Sequence, residues 1–310
     1  MALHTIIGAN GTIATELTPI LLQNNHAVRL VSRNPKAVGN AQTFSADVLN
    51  REQVFEAVRG SAVVYLLVGL EYKIEVWRKS WPILIRNVID ACKAANAKLI
   101  FFDNIYMYGK VNGPITENAP FKPVSKKGEV RAAIDTMLLA EMKAGTLQVA
   151  IAKATDFYGP RCTDKSAPGV LVFDRMKKKL ASQWFINANL PRAFNYTPDC
   201  AKGLYILATH KEAFGQTWHL PVAQPTPSGK QFVEIAAKYM GANTKIQVLP
   251  KFLLKILGWF NPVMKEMYEM MYQYEFPLVL DSSKFEKAFN FTPTSYEDGI
   301  KATAEWFLSR

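Results

Sequence analysis

Leu3-His4-Thr5-Ile6-Ile7, followed at once by Gly8-Ala9-Asn10-Gly11-Thr12-Ile13-Ala14, is the stretch of this sequence that decides the fold. The apolar run is typical of a strand, and the pattern becomes helical after the glycines. A strand, glycines at G-x-x-G-x-x-A spacing and a helix together are typical of a parallel α/β sheet that binds a dinucleotide pyrophosphate. The alternative is an ordinary tight turn.

Each small residue of this motif has a physical role in phosphate binding. Gly8 permits the tight turn, and Gly11 lets the backbone approach the phosphates. Ala14 is small enough for close packing of the helix on the strand. The backbone N–H groups of Thr12 and Ile13 then face the anion from the helix N-terminus.

The end of the second predicted strand indicates the type of cofactor. NAD-binding sheets carry an Asp or Glu there, which binds the ribose 2′-hydroxyl. This chain has Ser32 and Arg33 instead, with Lys36 close by. Because a guanidinium pairs with phosphate oxygens in a planar, bidentate way, the sequence favours NADP(H). The alternative is that Arg33 and Lys36 only solvate a loop.

The third strand is predicted to be short and to end near Asp47. The Asp47 carboxylate is a candidate acceptor for the adenine amino group, with Val48 packing on the ring. Asp47 is equally a candidate cap for a helix that begins near Arg51. We expect Asn10, inside the glycine turn, to belong to the same cofactor site.

Composition limits the class of protein. The chain has 310 residues, of which 49% are hydrophobic and 20% charged, so it suits one or two globular domains. Three cysteines at wide spacing, an odd number, predict a reducing cytoplasm and no metal site: Cys92, Cys162 and Cys200. The early first strand predicts that there is no secretory signal.

No apolar run reaches the length needed to span a membrane, and we expect no membrane partner. Phe252–Phe260 is apolar but is interrupted by Lys255 and Gly258, so we expect a buried or interface helix. The basic residues behind the net charge of +11 are not gathered into an arm or stripe, which argues against nucleic acid as a partner. The basic excess fits an anionic cofactor and an anionic substrate.

Strands and helices alternate through the first half of the chain, which predicts a doubly wound parallel sheet. The predicted strands are 3–7, 27–31, 62–67, 97–102 and 147–153, and the predicted helices are 12–24, 51–59, 75–95 and 127–144. We expect a dinucleotide-binding domain over 1–160, with a return segment near 194–221. Residues 161–193 and 222–310 are expected to form a smaller, mixed substrate or lid region.

The chain resembles the extended short-chain dehydrogenase/reductase superfamily over nearly its full length. The resemblance rests on the glycine turn and on five further segments: Tyr106-Met107-Tyr108-Gly109, Asp156-Phe157-Tyr158-Gly159-Pro160, Tyr196-Thr197-Pro198-Asp199-Cys200-Ala201, Asp281-Ser282-Ser283-Lys284 and Phe291-Thr292-Pro293-Thr294. The resemblance implies a Rossmann fold, and by analogy a homodimer formed through the helices near 75–95 and 127–144.

The departures from the superfamily pattern concern catalysis. Its usual site has a Ser or Thr four residues before the Tyr of the Tyr-Gly pair, and a Tyr-x-x-x-Lys on the next helix. Here the Ser position holds Asn104, and the dyad positions hold Lys127 and Arg131. Tyr106 and Lys110 have the right spacing, but they span a strand end and a loop and so do not share a helical face.

We interpret Lys127 as a candidate proton donor to a carbonyl oxygen, with the like charge of Arg131 making it the better acid. Asn104 would donate a hydrogen bond to the same oxygen. The hydroxyls of Tyr106 and Tyr108 are spare candidates at the mouth of the site. The alternatives are a solvated helix start, cofactor anchoring by Lys127 and Arg131, and a turn-forming role for Asn104.

The leading functional prediction is an NADP(H)-dependent oxidoreductase or epimerase-like enzyme that acts on a small carbonyl or hydroxyl substrate without a catalytic tyrosine. The alternative is a non-catalytic NADP(H)-binding sensor similar to the NmrA-like regulators, which keep the glycine turn and lack the dyad.

Overall fold

The computed structural model describes residues 1–164 and 166–310. Strands and helices alternate along its first half, as the apolar pattern predicts. The strands are β1 (Leu3–Ile7), β2 (Ala27–Ser32), β3 (Gln42–Ser45), β4 (Val63–Leu66), β5 (Lys98–Asp103) and β6 (Val149–Lys153). The helices between them are α1 (Thr12–Gln23), α2 (Arg51–Val58), α3 (Ile74–Ala95) and α4 (Lys126–Lys143).

The second half of the chain consists of shorter elements. Its strands are β7 (Phe157–Tyr158), β8 (Ser182–Phe185), β9 (Asn195–Tyr196), β10 (Gln216–His219) and β11 (Ile246–Leu249). Its helices are α5 (Asp174–Lys177), α6 (Thr197–Thr209), α7 (Gly229–Met240), α8 (Lys251–Phe260), α9 (Pro262–Tyr268), α10 (Ser283–Phe289) and α11 (Tyr296–Leu308).

Seven strands form one sheet in the order β10-β6-β5-β4-β1-β2-β3. Strands β1 to β6 pair in parallel, with Leu3 opposite Ala27 and His4 opposite Val63 at the centre. The order reverses at β1, so the carboxyl ends of β1 and β4 flank the crevice in which such sheets bind ligands. The predicted doubly wound α/β fold is therefore confirmed.

The central strands are continuous apolar runs because helices cover both faces of a parallel sheet. In β4 and β6 every residue is buried. The predicted strand bounds agree to within two residues. At β4 the predicted ends, Ala62 and Leu67, still donate to Leu3 O and Ile7 O at 2.8 Å, although regular pairing stops one residue earlier on each side.

The chain divides into two compact units. Unit 1 contains residues 1–107, 126–153 and 200–218, and holds the large sheet except for the last residue of β10. Unit 2 contains residues 108–125, 154–199 and 219–310, with two small parallel pairs, β7 with β9 and β8 with β11. The predicted use of the later segments for substrate binding stays a prediction.

Closely packed aromatic rings, mostly edge to face, form the core of unit 2. Tyr158 lies 5.7 Å from Tyr296 and 5.6 Å from Phe232, measured between ring centroids. Phe232 also contacts Phe173 and Phe194. Large buried rings of this kind supply much apolar contact area for a unit that has no extended sheet.

We expect His4 to make the stability of unit 1 depend on pH. Burial, with a further contribution from His26, lowers the pKa of His4 to about 4, whereas the unfolded chain titrates near its ordinary value. Between about pH 6.5 and 4 the His4 imidazole is protonated in the unfolded chain but stays neutral in the folded chain. The contribution of neutral His4 to the free energy of unfolding is therefore fully present above pH 6.5, and up to about 3 kcal/mol of it is lost as the pH falls to 4.

Urea unfolding at a series of pH values tests this expectation. His4→Gln should flatten the acid slope while keeping a hydrogen-bonding partner for the Tyr65 hydroxyl, which lies 3.0 Å from His4 Nδ1. His210→Gln, at a half-buried site after α6, is the control and should retain the slope. An unchanged slope in His4→Gln would contradict the assignment.

Candidate functional site

The glycine turn after β1 is shaped so that only glycine fits at its first position. Gly8 has φ +101°, and a Cβ there would lie 2.7 Å from Leu67 O. The N–H groups of Gly8 and Ala9 both donate to Val31 O, at 2.9 and 3.1 Å. The turn is thus hydrogen-bonded to the end of β2 and packs closely against the residue after β4.

The N-terminus of α1 is left open to an anion. Gly11 occupies the N-cap position, and among the described residues no side chain caps the helix and no acid lies in its first turn. Ala14 is fully buried, as close packing requires. Because the N–H groups of Thr12 and Ile13 belong to this uncapped turn, the turn fits the pyrophosphate of a dinucleotide.

Asn10 connects the glycine turn to the loop after β2. Its Nδ2 donates to Ser32 Oγ at 3.3 Å and to Asn34 O at 2.8 Å, and its Oδ1 accepts from Lys36 N at 3.3 Å. The Arg33 backbone is fixed through its carbonyl oxygen, which accepts from Ser45 Oγ at 2.7 Å. The Arg33 side chain is exposed and belongs to a loop that is held in place.

Asp47 follows β3 by two residues and shapes a turn. Its Oδ1 accepts from Leu49 N at 3.0 Å. The cap of α2 is Asn50, whose Oδ1 accepts from Gln53 N at 3.0 Å, so the alternative that Asp47 caps this helix is wrong. Val48 is half-buried beside it, and the adenine role of this pair stays a prediction.

Lys127 and Arg131 lie on one face of α4, as their spacing predicts, and both are buried. Lys127 Nζ lies 4.6 Å from the centroid of the Tyr72 ring. The Arg131 guanidinium lies 3.9 Å from the Trp81 ring and 4.6 Å from the Trp77 ring. The alternative of a solvated helix start is therefore wrong. The two tryptophans belong to the buried core.

A buried cluster of four charges lies under this face of α4, and we name Asp103, Arg131, Asp135 and Lys153 the α4 charge cluster. Arg131 Nη1 lies 3.0 Å from Asp103 Oδ1, and Lys153 Nζ lies 3.2 Å from Asp103 Oδ2. Lys153 also contacts the Asp135 carboxylate closely. Burial raises the pKa of Asp135 to about 7, against the attraction of Lys153.

The α4 charge cluster changes the interpretation of Arg131. The adjacent Asp103 carboxylate offsets its charge, so like-charge repulsion of Lys127 is weaker than the sequence alone suggests. Sequence reasoning missed Asp103, Asp135 and Lys153. Two signals could have found them: charged residues at the ends of the apolar strands β5 and β6, and the i, i+4, i+8 series of charges on α4.

The residues after β5 occupy a turn followed by a short 3-10 helix, Tyr106–Tyr108. Asn104 Oδ1 accepts from Tyr106 N at 2.9 Å, so the turn-forming role of Asn104 is present. Its Nδ2 is the group that could donate to a substrate. Tyr106 is half-buried. Tyr108 is fully buried, with its hydroxyl 2.9 Å from His219 Nε2, so its predicted place at the mouth of a site is wrong.

The structure thus brings together two groups of predicted residues within unit 1. One group surrounds the glycine turn and the end of β2, and consists of Gly8, Asn10, Gly11, Thr12, Ile13, Ser32 and Arg33. The other lies on and beside α4, where Lys127 and Arg131 face aromatic rings. Among the described residues no group of side chains could hold a metal ion.

Comparisons with known proteins agree with this architecture. The model of the NAD-dependent epimerase/dehydratase family matches residues 4–221. A UDP-N-acetyl-alpha-D-glucosaminuronate decarboxylase of Bacillus cytotoxicus is 21% identical, over 97% of this chain and 96% of the relative.

Solved structures show the same fold. The UDP-glucuronic acid 4-epimerase of Bacillus cereus, in complex with NAD, superposes with a TM-score of 0.81 at 19% identity over 99% of both chains. The UDP-glucose 4-epimerase of Thermus thermophilus, also in complex with NAD, gives 0.80 at 17% identity over 99% of both chains.

We expect Arg131→Met to destabilise the protein by about 3 kcal/mol, because it leaves buried acidic charge without one of its cationic partners. The control is Arg78→Met, which removes an exposed arginine on α3 that lies 3.8 Å from Glu129. An exposed pair of this kind contributes less than about 1 kcal/mol. Equal urea midpoints for the two variants would contradict a stabilising role for the α4 charge cluster.

Proposed function

The chain belongs to the NAD-dependent epimerase/dehydratase family, and on that premise we propose that it is an NADP(H)-dependent, epimerase-like oxidoreductase. It acts on a carbonyl or hydroxyl group of a small substrate. The observation that carries the proposal is the open α1 N-terminus behind Gly8, with Ser32 and Arg33 beside it and no acid in the same stretch.

The proposed preference for NADP(H) rests on the charge at the end of β2. A 2′-phosphate beside an acid would be repelled, whereas the exposed Arg33 guanidinium can pair with it. The Ser32 hydroxyl is a second polar group at the same position. The two epimerases compared above were solved with NAD, so NAD is the competing cofactor that the binding experiment must test.

Arg192 of unit 2, two residues before the predicted return segment, is a candidate substrate contact, and its ion pair supports the proposed small substrate. Its Nη2 lies 2.9 Å from Asp156 Oδ2, and its guanidinium lies 3.7 Å from the Tyr274 ring. Its Nη1 also donates to Gln273 O at 2.9 Å. Because Asp156 offsets the charge of this buried arginine, it attracts a diphosphate less strongly than an unpaired arginine would. The names of the compared relatives are those of UDP-sugar enzymes, so UDP-sugars are the substrates against which small carbonyl compounds are to be compared.

In the proposed mechanism the glycine turn and the N-terminus of α1 would hold the dinucleotide, which would supply hydride transfer when bound. Lys127, which is fully buried over the Tyr72 ring, would leave that contact to donate or take the proton at the substrate oxygen. The Asn104 Nδ2 group would donate a hydrogen bond to the same oxygen. Arg131 is a positioning residue, because its contacts with Asp103 and Trp81 hold α4 in place. Tyr106 is the alternative proton donor.

The second candidate function is a non-catalytic NADP(H) sensor. The observation that favours it is the burial of both α4 cations against aromatic rings, which gives Lys127 and Arg131 a structural use without catalysis. The two functions share the cofactor site and differ in turnover.

Calorimetric titration with NADPH and NADH tests the cofactor. We expect NADPH to bind more tightly, and Arg33→Ala to weaken NADPH binding about tenfold or more while leaving NADH binding unchanged, because only NADPH carries the 2′-phosphate. Arg59→Ala, which removes another exposed arginine of unit 1, is the control. Tighter NADH binding, insensitive to Arg33, would show that the preference is for NAD.

Lys127→Met tests the proton donor. In the substrate panel, aldehydes and ketones are assayed by NADPH oxidation, and UDP-glucose and UDP-glucuronic acid by NADP+ reduction and by formation of the epimer. We expect turnover in these assays to fall by about two orders of magnitude or more with NADPH affinity retained. Lys126→Met removes the neighbouring exposed lysine and should keep full turnover. Full turnover in Lys127→Met would exclude Lys127 as donor. Binding without turnover across the panel would favour the sensor.

A further inference from the structure

Helix α8 of unit 2 presents an apolar face to solvent. Phe252, Trp259 and Phe260 are 67%, 74% and 81% exposed. Ile256 is also exposed, as is Val263 in the first turn of α9. We name these five residues the α8 apolar face. The sequence predicts a buried or interface helix here; the prediction of burial is wrong for this side of the helix.

The helical spacing explains which side is covered. Positions 252, 256, 259 and 260 lie at i, i+4, i+7 and i+8 and so share one side. The buried residues, Leu254 and Gly258, lie on the opposite side. A Cβ at Gly258 would lie 3.2 Å from Lys265 Cα, which shows how closely α8 packs on α9. The helix therefore has a covered side and a second, uncovered apolar side.

This exposure is unusual for the residue types concerned. Four of the other tryptophans, Trp77, Trp81, Trp184 and Trp218, are at most 4% exposed. Single apolar residues on a surface are ordinary, but a contiguous group of large ones marks an interaction surface. The three aromatic side chains of this face, Phe252, Trp259 and Phe260, project far enough from the helix to insert into an apolar partner.

The charges around the α8 apolar face indicate the occupant. Exposed lysines border it at Lys251, Lys255 and Lys265, although Lys251 is paired with Glu275. The whole chain carries a net charge of +11. A second copy carries the same charge and is repelled at long range, whereas an anionic lipid surface attracts both the border and the whole protein.

From these observations we propose that α8 binds in the plane of an anionic bilayer surface. The α8 apolar face enters the boundary between headgroups and acyl chains, and the lysines contact the headgroup phosphates. Tryptophan is favoured at this depth because its ring is apolar and its N–H is polar. Within residues 1–164 and 166–310 no helix has the length and hydrophobicity needed to cross a bilayer, so the proposed attachment is to one leaflet.

Flotation of the full chain with vesicles tests the proposal. We expect it to float with phosphatidylcholine vesicles that contain phosphatidylglycerol, and much less with phosphatidylcholine alone. Trp259→Ser combined with Phe260→Ser should abolish flotation. Lys255→Glu combined with Lys265→Glu should weaken it about tenfold or more, because each nearby lysine contributes to attraction by anionic lipid.

The control is Leu308→Ser, which removes an exposed apolar residue from α11, away from the α8 apolar face in sequence. It should float as the wild type does. Each variant is also checked for an unchanged circular dichroism spectrum and NADPH affinity, so that loss of flotation is not loss of fold. Equal loss in Leu308→Ser would overturn the proposal.

Tryptophan emission gives a second readout that a structural effect would not produce. Anionic vesicles should shift emission to the blue and protect it from acrylamide, and Trp259→Phe should remove this shift while still floating. No flotation of the wild type would overturn the proposal. So would a dimer in sedimentation velocity that Trp259→Ser with Phe260→Ser dissociates, because the face would then be an interface between copies.

Discussion

The proposed chemistry of this protein depends on the buried ion pairs of the Asp103 carboxylate. Asp103 is the last residue of β5 and forms one ion pair with Arg131 of α4 and one with Lys153 of β6. Each carboxylate oxygen thus faces one cation, and these buried ion pairs join α4 to β5 and β5 to β6. Because removal of any one partner leaves an unbalanced charge in a low-dielectric interior, the orientation of α4 has little freedom.

This fixation determines what Lys127 can do. Lys127 lies one turn before Arg131 on the same face, so the contacts of Arg131 with Asp103 and Trp81 also hold the helix turn that carries Lys127. Burial over Tyr72 restricts the Lys127 side chain, and acid catalysis would require Lys127 to leave that contact and reach the substrate. The same rigidity would serve a sensor, whose helix must respond reproducibly to a bound nucleotide. Turnover, rather than geometry, separates the two functions.

Local patterns in the sequence were sufficient for the sheet and the glycine turn, because apolar runs and glycine spacing express constraints between near neighbours. β1 and Gly8 are examples. The α4 charge cluster was not predicted, since its pairs join residues 18 to 50 positions apart through strand order. Tyr108 was misplaced because its partner, His219, is far along the chain. For α8 the pattern indicated an apolar helix, but hydrophobicity alone does not say which side faces the protein.

The position of Asn10 has a consequence for how this fold changes its nucleotide. Asn10 forms hydrogen bonds with backbone atoms of Asn34 and Lys36 and with the side chain of Ser32, the last residue of β2. An aspartate at position 32 could accept the same hydrogen bond, and the residue at 33 takes no part in the bridge. The loop can therefore exchange its recognition chemistry while the phosphate turn keeps its shape. The proposed selectivity for the adenosine ribose would in this sense be a modular trait, separable from the hydrogen bonds that hold the phosphate turn.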